Sequence, residues 1–345
     1  MIGFRVDANE EIATGHLMRC IAMACACEKE GEEVLFFLAE KKETGRLDAL
    51  GFPYVILGMD WRDMEGEAER MRSLLKEYSV DWLVVDSYQA TNRYLSILNQ
   101  SARVLYVDDY GRERYDVSAV LHYNPWADVE AFSEIYGESG TDLLLGGKYI
   151  PLREEFSHGT RLPRGREVLI TTGGTDRCNV AGRVLQECVG RRQWEDVGFH
   201  VIVGSMNSHW EALQEMARRH ACIHLHRDVT NMSDYMRTCR VAVSAGGTTL
   251  YELCACGIPT VCFSFADNQK VGTEAMGKQG VMVYAGDART DRQICERIGD
   301  EILRLLNHQQ EWESYCAKMQ QLVDGRGSER IAAFLGPHHF CRTGF

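Results

Sequence analysis

The sequence predicts two α/β domains in tandem, each a parallel sheet wound with helices. Short β-rich runs alternate with longer helical patterns over residues 2–146, as strands joined by helical crossovers do. The same alternation starts afresh with EVLITTGG at Glu167. At roughly 150 residues per domain, a chain of 345 residues makes two domains, each able to bury its own core.

In the first half the strands are IGFRV, EVLFFL, YVIL, WLVVD and VLYVDD, separated by helices over 16–30, in the 40s, over 63–78 and over 92–100. Residues 1–147 are therefore expected to form the N-terminal domain. The stretch 148–165 has Gly and Pro at its ends and no sustained periodicity, so it reads as a linker. In the second half, 166–325, the strands are EVLIT, FHVIV, IHLH, VAVSA and TVCFSF, with helices near 178–192, 208–220, 231–238, from 248 and from 270. One or two helices over 291–323 close this domain, and 326–345 reads as a C-terminal tail ending in the frayed GPHHFCRTGF.

Composition narrows the function. Hydrophobic residues make up 45% and charged residues 26%, as in globular proteins, and no run of about 18 apolar residues is present to cross a bilayer. The net charge of -12 argues against nucleic acid as a partner, because phosphate-backbone binding needs a basic face. Met1 leads straight into a strand and the 13 cysteines are odd in number, which points to reduced thiols and a cytoplasmic protein. Cys25 with Cys27 and Cys254 with Cys256 lie at i, i+2 in helical patterns, where side chains point to different faces, so they read as small buried hydrophobes rather than metal ligands.

In open α/β sheets ligands bind beyond the carboxyl ends of the strands, where helix N-termini receive anions. Three loops there are candidates: DANEEIATGH after the first strand, TTGGTD at 171–176, and SAGGTTLYE at 244–252. Gly246, Gly247, Thr248 and Thr249 offer backbone and hydroxyl donors to a diphosphate, and Glu252, one turn into the following helix, is placed to reach a ribose. Gly173 and Gly174 repeat that grammar and are expected to face the first loop across an interdomain cleft. A strand-end glycine followed by a Thr cap explains either loop taken singly. FADNQ brings Asn268 and Gln269 after a strand, as sugar or phosphate contacts or as a helix cap. Asp86 and Tyr88 end one strand and Asp108 and Asp109 the next, the latter pair open to a role in caps and turns.

Several chemistries lack their motifs. No G-x-G-x-x-G follows the first strand, no Walker lysine follows a glycine loop, and G-x-S-x-G and H-E-x-x-H are absent. His224 with His226 is explained by strand alternation. Neither a cofactor nor a metal is called for.

Taken in order, R-x-D at Arg5 and Asp7, T-G-H-x-x-R-C at 14–20, D-S-Y at 86–88, G-K-Y-x-x-L-R-x-E-F at 147–156, S-A-G-G-T-T-x-x-E at 244–252 and D-N-Q at 267–269 span most of the chain. Together they make a sequence that resembles the UDP-sugar hydrolases of the pseudaminic acid pathway, whose fold is in turn similar to the GT-B glycosyltransferase that adds N-acetylglucosamine to lipid-linked muramyl peptide. The resemblance implies two Rossmann-like domains and hydrolysis of UDP-2,4-diacetamido-2,4,6-trideoxy-β-L-altropyranose to UDP and free sugar. It implies C–O cleavage with inversion and without metal, His16 as the base, the C-terminal glycine loop on UDP, and Tyr88 and Asn268 near the sugar. Arg5, Asp7, Gly15, Arg19, Asp86 and Gln269 fall on its motif positions and are expected at the substrate. The chain departs from the family at Thr14, where a second glycine is frequent, and at Thr175, Asp176 and Arg177 after the second loop's glycines.

The leaving diphosphate is good, so one base that activates water is enough. His16 at a helix start suits this, because the helix N-terminus favours neutral imidazole. Arg19, one turn on, is read either as a phosphate contact or as a helix-surface ion pair. Two rival functions stand beside the hydrolase: a glycosyltransferase of the same architecture, with His16 deprotonating a sugar hydroxyl, and a noncatalytic nucleotide-sugar sensor.

Overall fold

The computed structural model describes residues 1–9, 15–111, 113–157 and 165–336. They divide into two units: Met1–Glu154 together with the chain from Gly325 onward, and Glu155–Asp324.

In the first unit β1 (Ile2–Val6), β2 (Val34–Leu38), β3 (Tyr54–Ile56), β4 (Trp82–Asp86), β5 (Arg103–Val107), β6 (Ala119–His122) and β7 (Asp142–Leu145) pair in parallel in the order β3-β2-β1-β4-β5-β6-β7. The helices are α1 (Gly15–Lys29), α2 (Gly45–Leu50), α3 (Met64–Glu77), α4 (Asn92–Asn99) and α5 (Val129–Tyr136). Both faces of the sheet are covered, so its strands are apolar at consecutive positions rather than alternate ones. Along β2, Val34, Phe36 and Leu38 join Phe4, Leu17 and Met23 in one core layer, while Leu35 and Phe37 join Met71, Leu75 and Tyr94 in the other. Side chains fix two helix starts: Thr91 Oγ1 accepts from Tyr94 N–H at 3.1 Å, and Asp128 Oδ1 from Ala131 N–H at 3.0 Å.

The second unit repeats the plan. Strands β8 (Glu167–Thr171), β9 (Gly198–Ile202), β10 (Ile223–His226), β11 (Val241–Ala245), β12 (Thr260–Ser264) and β13 (Val283–Asp287) are parallel in the order β10-β9-β8-β11-β12-β13. Around them lie α6 (Val180–Cys188), α7 (Trp210–Arg219), α8 (Met232–Thr238), α9 (Thr249–Cys256), α10 (Asp267–Lys278), α11 (Ile294–Asn307) and α12 (Gln309–Leu322). In each unit the strand order reverses once, between β1 and β4 and between β8 and β11, and that reversal opens a crevice at the strand ends.

Two boundaries differ from the sequence expectation. The stretch 148–165 is no free linker through its first part: Gly147–Tyr149 and Glu154–Phe156 are single 3-10 turns, and Ile150, Leu152 and Phe156 are buried. The expected tail forms α13 (Gly327–Leu335), which returns to the first unit. It does so because Ile331, Ala332 and Leu335 make one apolar stripe that joins the core layer beneath α1, with Phe334 against Trp82 at 5.3 Å between ring centroids. Ser328 Oγ donates to Leu152 O at 2.8 Å, tying the helix to the 148–157 stretch. Residues 337–345 of the expected frayed end lie outside the described residues. Strands β6, β7 and β13 were not foreseen. Among the described residues no helix is long and apolar enough to cross a membrane, and no disulfide joins the described cysteines.

Candidate active site

At the first unit's strand reversal, β1 delivers Asp7, β4 delivers Asp86, Ser87 and Tyr88, and α1 delivers His16 and Arg19 one turn apart. A cavity of about 250 Å³ opens there, lined by these strand-end residues, His16, Trp61 and Gln89. The segment 10–14 between β1 and α1, including the Thr14 of the motif, lies outside the described residues.

His16 is buried, with its Nδ1 2.6 Å from Asp86 Oδ1. Burial would raise the Asp86 carboxyl, but the charge and hydrogen bonds of Arg19, then those of His16, outweigh it and hold Asp86 down to about 2. An ionised carboxylate at that distance needs a donor, so Nδ1 carries a proton, and in the neutral imidazole this tautomer puts the lone pair on Nε2. Arg19 Nη2 also lies 3.0 Å from Nδ1, but its two hydrogens go to Asp86 Oδ1 at 2.5 Å and Asp109 Oδ2 at 2.9 Å. The arrangement is that of a general base oriented by a buried acid.

Of the two readings of Arg19, phosphate contact or ion pair, the geometry has the ion pair, though largely buried rather than on the helix surface. Its Nε donates to Asp86 Oδ2 at 2.6 Å and its Nη1 to Asp109 Oδ1 at 2.9 Å and to the Tyr123 hydroxyl. All five guanidinium hydrogens are therefore committed within the protein. Arg19 is a buried bridge between two carboxylates. Arg5, also expected at the substrate, is fully buried in β1 and off the cavity lining: it gives Nε and Nη2 to Glu67 at 2.6 and 2.9 Å and Nη1 to Asp7 at 2.5 Å, and so holds the wall residue Asp7 from behind. Asp7 also accepts from Ala39 N–H at 2.8 Å and remains on the cavity wall.

Tyr88 is half-exposed, its ring near-perpendicular to that of His16 with 4.6 Å between ring centroids, and its hydroxyl donates to Asp109 Oδ2 at 2.7 Å. Burial first, then the Asp109 charge, pushes its phenol up. Asp109, read from the sequence as a strand-end residue open to a role in caps and turns, is thus the link between Arg19 and Tyr88. Asp108 turns the other way: its Oδ1 caps the following turn from Tyr110 N–H at 2.9 Å and Gly111 N–H at 3.0 Å. The adjacent pair serves two separate tasks. Asp109, Tyr123, Trp61, Ser87 and Gln89 were missed as site residues. Asp109 and Ser87 stand at or just past strand ends, a signal that was readable, whereas Trp61 and Tyr123 give none. Gly15 begins α1 in open space.

The second unit places its motif residues at its own reversal. After β8, Gly173 has a φ of +78° with open space where a Cβ would stand, a conformation glycine adopts without strain. Gly174 lies beside Gly204 and Met206. Asp176 accepts from Val180 N–H at 2.8 Å and Ala181 N–H at 3.1 Å, so the N-terminus of α6 is capped by the protein's own carboxylate. After β11, Gly247 and Thr248 are exposed and Thr249 opens α9 with no side-chain cap. Leu250 N–H donates to Gly247 O at 3.2 Å and Tyr251 N–H to Thr248 O at 3.0 Å, so the exposed tip at 247–248, rather than the helix's second and third amides, is the part suited to an anion. Glu252 follows in that helix's first turn, half-buried. A Cβ on Gly246 would stand 2.8 Å from Gln269 Cβ and from Thr273 Cγ2. The glycine loop and the D-N-Q helix are therefore packed backbone to side chain. Gln269 Oε1 accepts from Phe265 N–H at 3.0 Å, fixing the turn, while Asn268 is exposed on the first turn of α10.

No family model matches the chain. It is 22% identical over 273 residues to the spore coat polysaccharide biosynthesis protein SpsG of Bacillus subtilis, covering 76% of this chain and 78% of that one. A Helicobacter pylori protein named pseudaminic acid cytidylyltransferase and UDP-2,4-diacetamido-2,4,6-trideoxy-beta-L-altropyranose hydrolase is 24% identical over 214 residues, which cover 58% of this chain and 37% of that longer one. Among solved structures, Acinetobacter baumannii MurG is similar with a TM-score of 0.65 at 14% identity, covering 97% of this chain and 98% of its own. A UDP-N-acetylglucosamine 2-epimerase is similar with a TM-score of 0.62 at 15% identity, covering 99% and 97%. The chain has the fold of two parallel-sheet α/β units found in the GT-B glycosyltransferases and these epimerases.

Proposed function

We propose that the chain hydrolyses a nucleotide-linked sugar. His16 draws a proton from water, the water oxygen bonds to the anomeric carbon, and the bond from that carbon to the diphosphate oxygen breaks with inversion, releasing UDP. The substrate is UDP-2,4-diacetamido-2,4,6-trideoxy-β-L-altropyranose or a close relative, used in building a surface glycan, and no metal takes part. The observation that carries this reading is the His16–Asp86 pair, 2.6 Å apart at the edge of a cavity. It gives neutral imidazole one defined tautomer and a buried anion to stabilise the imidazolium once the proton arrives.

Other observations support the reading. The start of α9, with Gly246, Gly247, Thr248 and Thr249, and the glycine turn at 173–174 suit a departing diphosphate. Glu252 suits a ribose, and Tyr88 and Asn268 sit on the motif positions expected near the sugar. The names of the two relatives concern polysaccharide and sugar-nucleotide chemistry. Attack on phosphorus would usually call for a cation held by carboxylates, and Asp108 and Asp109 are occupied by a turn and by Arg19.

Turnover in oxygen-labelled water tests the bond that breaks. The expectation is unlabelled UDP, with a chelator without effect; label on the β-phosphate overturns the mechanism. A panel of UDP-sugars assayed without any acceptor separates hydrolase from transferase. Rapid UDP and free-sugar release supports the proposal, and release that needs an added acceptor hydroxyl replaces it with the transferase.

A further inference from the structure

The cavity at the first unit's strand reversal rests on two charge clusters, each with one cation too few. Arg5 faces Asp7 and Glu67, and Arg19 faces Asp86 and Asp109. In both, one guanidinium is set against two carboxylates, so each cluster keeps a formal charge of -1. Asp7 and Asp86 line the cavity themselves, and both are almost fully buried. Among the described lining residues His16 is the one basic group, and its neutral form is what the base requires. A low-dielectric concavity with that surplus carries a negative potential into its opening.

Shape adds a second constraint. At about 250 Å³ the cavity lies below the roughly 300–1,000 Å³ of sites that enclose drug-sized ligands, so it takes one sugar ring rather than a whole nucleotide sugar. Trp61 supplies an aromatic wall. The Arg62 guanidinium, itself paired with Asp60, lies over one face 4.5 Å from the ring centre, and the opposite electron-rich face is the one suited to the weakly positive C–H face of a pyranose. Ser87 and Gln89 supply hydroxyl and carboxamide groups, and Asp7 has acceptor capacity beyond Ala39 and Arg5.

We infer that this cavity is a sugar subsite that selects uncharged sugars and rejects those bearing a carboxylate or phosphate, with Trp61 as its stacking wall and the surplus charge of the two clusters as its filter. The same surplus favours the positive charge that develops at the anomeric carbon as the diphosphate departs, since a fixed field aimed at the transition state needs no reorganisation. Glu67 contributes to this field from behind Arg5 without touching the cavity. The inference rests on the hydrolase reading for its kinetics but not for its binding selectivity.

The test has two arms. In the first, saturation-transfer NMR on the full chain compares free N-acetylglucosamine with free glucuronic acid as probes, using the parent and Trp61→Ala. The neutral sugar is expected to give transfer that Trp61→Ala abolishes, and the acid none at tenfold higher concentration. Equal transfer from both acids and neutral sugars, no transfer from either, or transfer unchanged in Trp61→Ala overturns the subsite. In the second, UDP release is compared for a neutral UDP-sugar and its uronate counterpart. At least a tenfold preference in kcat/KM for the neutral one is expected, about 1.4 kcal/mol, narrowed in Glu67→Gln with the loss in kcat rather than in KM. Comparable turnover of the uronate overturns the filter while leaving the hydrolase standing. Absence of turnover with every nucleotide sugar overturns the hydrolase, and the binding arm then still decides the subsite.

Discussion

Between β1 and β4 the first unit holds charged side chains that are buried or part-buried and committed to one another: His16, Asp86, Arg19, Asp109 and Asp7 with Arg5 behind it. Between β8 and β11 the second unit presents glycines, hydroxyls and helix-start amides, with its charged residue Asp176 turned inward as a cap. Over their first six strands the two sheets share one order about the reversal, the first unit adding a seventh strand at its edge, and the chemistry differs. A site that moves protons needs side chains of fixed tautomer and charge, which only a saturated buried network supplies. A site that grips an anion needs donors without bulk, which backbone supplies. The comparison makes a definite claim: changes in the first crevice alter turnover, and changes in the second alter nucleotide affinity.

The largest expected effect is at the base. Replacing His16 by Gln is expected to lower kcat roughly 100- to 10,000-fold while UDP affinity, measured by calorimetry, stays within about twofold of the parent. A kcat within a few-fold of the parent removes His16 from the mechanism. Next is Arg19. Arg19→Lys keeps one charge but not the fork to two carboxylates, and is expected to cost tens-fold in kcat with UDP affinity unchanged; a fall in UDP affinity with kcat preserved restores the phosphate-contact reading. Arg19→Met leaves the buried Asp86 without its cation and is expected to lose about 3–5 kcal/mol of stability in urea unfolding.

Asp86 makes the third prediction through pH. Its folded-state carboxyl lies at about 2, below the ordinary 3.8. A depressed carboxylate contributes stability above its unfolded value, and that contribution is lost as pH falls from about 4 toward 2. The shift corresponds to about 2 kcal/mol. Urea midpoints of the parent are expected to drop more steeply over that window than those of Asp86→Asn. Parallel acid limbs for the two proteins mean that Asp86 is not held ionised by Arg19 and His16.

The sequence made some of this plain and hid the rest for physical reasons. Strands such as WLVVD announced themselves because burial on both faces demands an unbroken apolar run. AVLH over 119–122 and DLLL over 142–145 did not, being four residues long and far from the reversal, in the outer part of the sheet. Helix α13 was hidden because its apolar stripe is only three residues, and what covers it, Trp82 and the α1 layer, lies more than two hundred residues back in the chain. His16 and Asp86 were legible as motif members at strand ends. That Arg19 spends its donors on Asp86 and Asp109, 67 and 90 residues away, was not, since pairing between separate strand ends depends on sheet order. The glycine loops were legible because glycine at a strand end has local meaning.

The smallest expected effect tests the other half of the comparison, within the glycine turn after β8. Gly173 has a φ of +78°, and a Cβ there would meet nothing within 4 Å. Alanine therefore fits sterically and pays only for the left-handed backbone, about 1 kcal/mol. If the turn's amides grip the diphosphate, Gly173→Ala either strains the bound conformation or relaxes out of it, and both weaken UDP binding by about fivefold with kcat at saturating substrate unchanged. Gly246→Ala is the control for a packing effect. Its Cβ would stand 2.8 Å from Gln269 and Thr273, so it is expected to lower stability by about 1–3 kcal/mol through overpacking, whereas Gly173→Ala is expected to shift the urea midpoint by less. If Gly173→Ala instead lowers kcat while UDP affinity holds, proton transfer and anion grip are not divided between the two crevices, and the division drawn from their side chains fails.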